Sequence, residues 1–172
     1  MGLLTERTAR KMCSQYNMQR DTTVQLTLLV DAAPETIWKA LTDPQLTKLY
    51  HEGWMARSTW KLGDSLLWVE NVDGTEHLRA KGVIMACIPG RRLRYTRLIT
   101  NGKLPDEPAS YTTVDIVLEV ERDGRTRVDL YNGDYAGLPH DVRTSRAAGR
   151  VWVEALVGLK RVSEEEQGSK AA

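Results

Sequence analysis

From residue 22 to residue 30 apolar and polar side chains alternate, with Val24, Leu26, Leu28 and Val30 on one face. Period two is the spacing of a strand with one buried side. Asp31 breaks the run and the spacing lengthens. Pro34 suits the first turn of a helix, where a missing N–H costs nothing. Glu35 then lies at the positive end of the helix dipole. Ile37, Ala40 and Leu41 recur at helical spacing, with Trp38 beside them. Thr42-Asp43-Pro44 ends this helix and restarts the chain: Thr42 or Asp43 can cap the next helix and Pro44 can begin it. That second helix presents Leu46, Leu49 and Tyr50.

After Gly53 the alternation returns. Strands are predicted over 54–60, 65–70, 76–88, 91–99, 111–121 and 126–134. Gly63-Asp64, Asn71-Val72-Asp73-Gly74, Pro89-Gly90 and Arg122-Asp123-Gly124-Arg125 supply turns, and residues 101–108 form a loop. Within 76–88 the even positions Leu78, Ala80, Gly82, Ile84, Ala86 and Ile88 make an apolar or small face. From 140 to about 162, Ala148, Trp152, Ala155 or Leu156, Leu159 and Val162 mark an amphipathic helix. Gly149 and Gly158 weaken it by about 1 kcal/mol each relative to Ala, and Gly158 permits close approach to the sheet. The order predicts an α+β fold: a curved antiparallel sheet of six to seven strands, two short helices and a long C-terminal helix. The sheet buries one face under that helix. Curved sheet and straight helix cannot touch everywhere, which predicts a cavity. Residues 1–20 read as a flexible tail, 21–165 as one domain and 166–172 as a polar tail that frays.

A chain of 172 residues suits one domain with a real core. The net charge of +1 argues against a nucleic-acid partner. No apolar run approaches the roughly 18 residues of a membrane helix, and the N-terminus lacks a signal-peptide core. Cys13 and Cys87 form no framework, so reduced thiols and a cytoplasmic location are expected. No metal motif joins His51, His77 and His140, no glycine loop cradles phosphate, and no cofactor is expected. Phe is absent; five Trp and six Tyr supply aromatic surface with polar tips.

Polar residues in phase with inward apolar ones are the candidate site. Arg97 follows Leu93 and Tyr95; Asn132 follows Val128 and Leu130. A few polar groups in an apolar pocket are the usual form of a small-molecule site. The expected ligand-facing set is Tyr50, Trp54, Trp68, Ile84, Tyr95, Arg97, Ile116, Asn132, Trp152 and Leu156. Tyr50 and His51 are expected at an entrance, Trp38 in the core and His77 in solvent. A buried Arg97 calls for a carboxylate or a ligand anion beside it. Arg92 and Arg94 face outward, toward Asp115 or Glu119 across strands.

V-x-A-x-P-E-x-I-W-x-A-L-T-D-P over 30–44 resembles the opening of the SRPBCC superfamily, and within it the group similar to the C-terminal domain of the activator of Hsp90 ATPase. Pro89-Gly90-Arg91-Arg92-Leu93, the following Tyr95-Thr96, and Trp152, Leu156 and Leu159 resemble that group in the same order. The resemblance implies a helix-grip fold with a hydrophobic pocket between sheet and C-terminal helix. Tyr50, Ala86 and Val151 depart from its usual Trp, acidic residue and Gly, so no ligand transfers. The expected function is binding of a hydrophobic or amphipathic small molecule, by a monomer or homodimer. The alternatives are a cyclase- or aromatase-like enzyme, which needs an acid/base pair in the pocket, and a chaperone-binding module, which needs a large exposed apolar patch.

Overall fold

The computed structural model describes residues 21–171. The tail expected over 1–20, and Cys13 with it, lie outside the described residues. β1 spans Val24–Val30, α1 Pro34–Thr42, α2 Pro44–Thr47, β2 Met55–Arg57, β3 Ser65–Val72, β4 Thr75–Ile88, β5 Arg92–Ile99, β6 Thr112–Val120, β7 Thr126–Gly133 and α3 Asp141–Ala171. The strands form one antiparallel sheet in the order β1-β7-β6-β5-β4-β3-β2. The first strand therefore pairs with the last, and α3 packs along β1 and α1. This is the α+β helix-grip architecture that the alternation and the final helix predict.

Local chemistry explains the junction between the two short helices. Asp43 Oδ1 accepts a hydrogen bond from Gln45 N at 2.8 Å, capping α2, with Pro44 at its first position. Ile37 and Ala40 are fully buried on α1, whereas Trp38 is only half-buried against the core. On the outer face Arg92 pairs with Asp115 at 2.6 Å, the cross-strand partner expected for it, while Glu119 pairs with Arg127.

The structure corrects several expectations. The strand expected over 54–60 contracts to Met55–Arg57, leaving Trp54 and Trp60 outside it; Trp60 has a left-handed backbone, φ 60°. The register of β4 on β5 shifts between Ile84 and Ala86. One extra residue exchanges the faces of a strand, so Ile88 is exposed rather than inward. A second shift, between Trp68 and Val69, leaves Leu78 exposed as well. Gly158 makes its close approach to Tyr50 rather than to the sheet, for an added Cβ would fall 2.5 Å from Tyr50 Cβ.

The helix expected to end near 162 continues to Ala171. Its polar end is docked. Glu164 Oε1 accepts from Asp31 N at 2.8 Å and Gln167 Oε1 from Thr36 Oγ1 at 2.7 Å and Ala33 N at 3.3 Å. The N-cap of α1 is Ala33, which has no side chain to satisfy the first free N–H groups. Gln167, from α3, holds the Ala33 N–H and the Thr36 hydroxyl at this end.

Candidate functional site

Alternation along the strands aims Leu66 and Trp68 of β3, Leu93 and Tyr95 of β5, Ile116 of β6 and Leu130 of β7 at one space. Trp152, Ala155, Leu156 and Leu159 close it from α3, and Leu41, Tyr50, His51 and Trp60 from one side. The cavity is only about 20 Å³, room for about one water molecule. Large aromatic side chains nearly fill the pocket that sheet curvature alone would leave. A wider concavity of about 500 Å³ lies on the outer face around Leu67, Val83, Met85 and Tyr111. Three of its polar side chains are partnered, Lys81 and Tyr111 with Asp106 and Thr96 Oγ1 with Val83 N. The inner space differs in that respect.

His51 is 2% exposed, and neither ring nitrogen has a hydrogen-bond partner. It stacks on Trp54 with centroids 5.4 Å apart and contacts Trp68 at 4.4 Å and Trp152 at 5.6 Å. It is therefore inside the cluster, not at an entrance. Thr47 and His51 fall four residues apart on one helical face, and both are buried. That spacing is present in the sequence, but Thr and His are residue types that do not mark a face as buried. Burial, and then the positive charge of Arg97, hold the imidazole well below its ordinary pKa of 6.5, so it is neutral.

This has a consequence for stability. Below about pH 6.5 the unfolded chain takes up a proton at His51 that the folded chain refuses. Stability therefore falls as pH drops, by up to ~1.4 kcal/mol per unit, until the depressed folded pKa is reached. The carboxylates with shifted pKa values, Glu76, Asp106, Asp123 and Glu164, are all held lower and titrate below this window. Urea unfolding of wild type and His51→Gln, compared between about pH 5 and about pH 7, is expected to show a shallower slope in the variant. Equal slopes would refute the buried neutral imidazole.

Arg97 is 8% exposed and its Nε has no acceptor. Its guanidinium carbon stands 5.1 Å from the Trp152 ring, 5.7 Å from Trp54 and 6.0 Å from Trp68. Of the two partners expected beside it, a carboxylate or a ligand anion, the described residues do not supply the first: none of their ion pairs includes Arg97. Trp68 Nε1 is likewise buried without a partner. Tyr95 is buried, and burial pushes its phenol up to about 12 against the opposing pull of Arg97.

Asn132 has a different situation. Its Nδ2 donates to Thr112 Oγ1 at 3.2 Å and Thr113 O at 3.1 Å; its Oδ1 accepts from Tyr135 OH at 2.5 Å and Trp152 Nε1 at 2.9 Å. An amide has two donors and one two-lone-pair acceptor, so all its capacity is taken. Asn132 fixes Trp152 and leaves nothing free for a ligand. Of the other expected residues, Tyr50, Trp68, Tyr95, Ile116, Trp152 and Leu156 line the cavity. Ile84 is buried behind it, and Trp54 and Arg97 stand in the adjoining aromatic cluster. Tyr50 is held by its hydroxyl, which donates to Ala40 O at 2.9 Å.

A curved sheet closed by a C-terminal helix, with polar groups left unpaired between them, defines a helix-grip protein with a buried aromatic site. The chain belongs to the family described as activator of Hsp90 ATPase homolog 1-like protein, whose model matches residues 31–164. No curated protein matches the chain at a significant level. Among solved structures it is similar to ChR145 from Cytophaga hutchinsonii, with 26% identity and a TM-score of 0.66 over 84% of this chain and 94% of that one. It is similar in fold to the Aha1 dimer from Colwellia psychrerythraea, 17% identical over 83% of this chain and 96% of that one, TM-score 0.61. CalU16 from Micromonospora echinospora shares 21% identity over 87% of this chain and 85% of its own, TM-score 0.58. Among the described residues no helix is long and apolar enough to cross a membrane.

Proposed function

We propose that the protein binds a small amphipathic molecule between its sheet and terminal helix. One observation carries this reading: His51 Nδ1 and Nε2, Trp68 Nε1 and Arg97 Nε are buried without partners in a single aromatic cluster. Each such orphan costs about 1–3 kcal/mol, and cores built for stability alone satisfy nearly all of them. Leaving several together suits a site whose partners arrive with a ligand. Ile116 and Leu156 would contact the apolar body of that ligand, and the Tyr95 hydroxyl its polar edge. Ile84 and Asn132 support the site from behind.

The ligand displaces aromatic side chains, because the cavity holds about one water. Residues 49–54 are the segment expected to move, since they belong to no helix or strand and carry Tyr50, His51 and Trp54. An NMR titration with a panel of hydrophobic metabolites is expected to give saturable shifts at His51, Tyr95 and the Trp152 indole. Silence at these positions with every compound would reject the reading.

A second reading, a cyclase- or aromatase-like enzyme, is favoured by one observation. His51, neutral and with both nitrogens free, shares the cavity with Tyr95, which stays protonated. That is an acceptor and a donor for proton transfer. Turnover of an aromatic polyketide that disappears in His51→Gln, at unchanged substrate affinity, would select it; turnover indifferent to that change would dismiss it.

A further inference from the structure

We propose that the ligand is an aromatic monocarboxylate, its carboxylate held by Arg97 and its ring enclosed by Trp54, Trp68 and Trp152. This rests on the small-molecule reading above and names the class of molecule. The argument begins with charge. A guanidinium is a permanent cation with donors in a planar fork and no acceptor. Arg97 is 8% exposed, yet no carboxylate among the described residues meets it. The chain's other paired arginines find acidic partners at the outer surface, Arg92 at Asp115 and Arg127 at Glu121 and Asp129. Arg97 has only indole faces, which attract a cation but leave its Nε–H without an acceptor.

Its surroundings lack the same thing. Trp68 Nε1–H has no acceptor, and one nitrogen of the neutral His51 ring is a further unpaired donor. Three donor groups of one aromatic cluster thus lack acceptors. The deficit has a size. Among the described residues Arg97 is the single cation of this cluster, so one negative charge balances it and a phosphate dianion would bring an excess. It also has a shape, because the fork matches two coplanar oxygens. The body of the ligand follows from the walls. His51 lies within 18° of parallel to Trp54, and Trp68 and Trp152 flank it. A flat ring entering among these indoles as the aromatic side chains shift keeps much of their contact.

The test compares naphthoate with naphthamide, equal in shape and different in charge, by NMR of the full chain, following the Arg97 Nε–H and Trp68 Nε1–H signals. The acid is expected to bind about 10- to 100-fold more tightly than the amide, as one charge-assisted pair implies, and to move the Arg97 Nε–H signal where the amide does not. Arg97→Met is expected to weaken the acid far more than the amide, bringing the acid-to-amide affinity ratio to about one. Arg97→Lys, which keeps the charge but not the fork, is expected to fall between. If Arg97→Met does not fold, the acid-to-amide ratio and the Arg97 signal in wild type still decide. Equal affinities for acid and amide would overturn the carboxylate class and leave the small-molecule reading standing. Binding of neither compound would overturn both. Saturation of the Arg97 signal by inorganic phosphate more readily than by naphthoate would overturn the aromatic carboxylate in favour of an inorganic anion.

Discussion

Gly82→Ala is expected to destabilise the fold by ~3 kcal/mol or more, the upper end of overpacking effects. The reason is a backbone contact. A Cβ at position 82 would fall 1.6 Å from the carbonyl oxygen of Thr96. A side chain can rotate away from such a clash, whereas a strand carbonyl cannot without disturbing its neighbours. The contact lies where β4 and β5 already depart from regular pairing: the register passes from Lys81↔Leu98 to Ile84↔Tyr95, and Val83 N donates to the Thr96 hydroxyl. The next residue on β5 is Arg97, so a forced separation there also disturbs the candidate site. For a domain of this size the thermal midpoint should fall by roughly 6–12 °C. Gly168→Ala is the control. Gly168 lies in α3 with open space around its Cβ, and the change should alter stability by no more than about 1 kcal/mol, in the favourable direction. Calorimetry that finds the two variants alike would refute the close approach of β4 and β5.

Asn132→Ala is expected to cost about 3–5 kcal/mol, because it orphans the Trp152 indole N–H and the Tyr135 hydroxyl at once. It also removes the donors to Thr112 and Thr113. The site is 1% exposed, so water does not readily replace them. Tyr135→Phe removes one of these bonds and leaves Asn132 Oδ1 bonded to Trp152; about 1 kcal/mol is expected. Denaturant unfolding of both variants provides the comparison. A loss in Asn132→Ala no larger than in Tyr135→Phe would show that the network contributes nothing beyond one hydrogen bond. The proposed binding of an aromatic carboxylate offers a second view. Once Trp152 is released, one ring of the Arg97 cage loses its anchor, and affinity should fall with stability.

The inward direction of Tyr95, Arg97 and Asn132 was legible because period-two alternation is local: a residue two places from a buried neighbour on a regular strand shares its face. Leu78 and Ile88 show the limit, because a register shift carries no signal in an apolar pattern and reverses the faces beyond it. His51 was harder. The residue type suggests exposure, and what buries it is the convergence of Trp54, Trp68 and Trp152 from three separate segments.

The chain by itself determined the succession of strands and helices, the turns between them and a cap at Thr42 or Asp43, which follow from steric and hydrophobic preferences that act over a few residues; the resemblance carried by its motifs added the helix-grip class. Tertiary structure alone decided the rest. Asp31, Ala33 and Thr36 receive their acceptors from Glu164 and Gln167, 131 to 134 positions away, which is why a polar segment without an apolar stripe remains helical. Gly158 meets Tyr50 across a comparable gap in the chain. The narrowness of the cavity, and the lack of an Arg97 ion pair among the described residues, depend on which side chains arrive at one point. Hydrogen bonds, aromatic contacts and unpaired charges between distant segments have no period along the chain. They exist only once the sheet has curved around the helix.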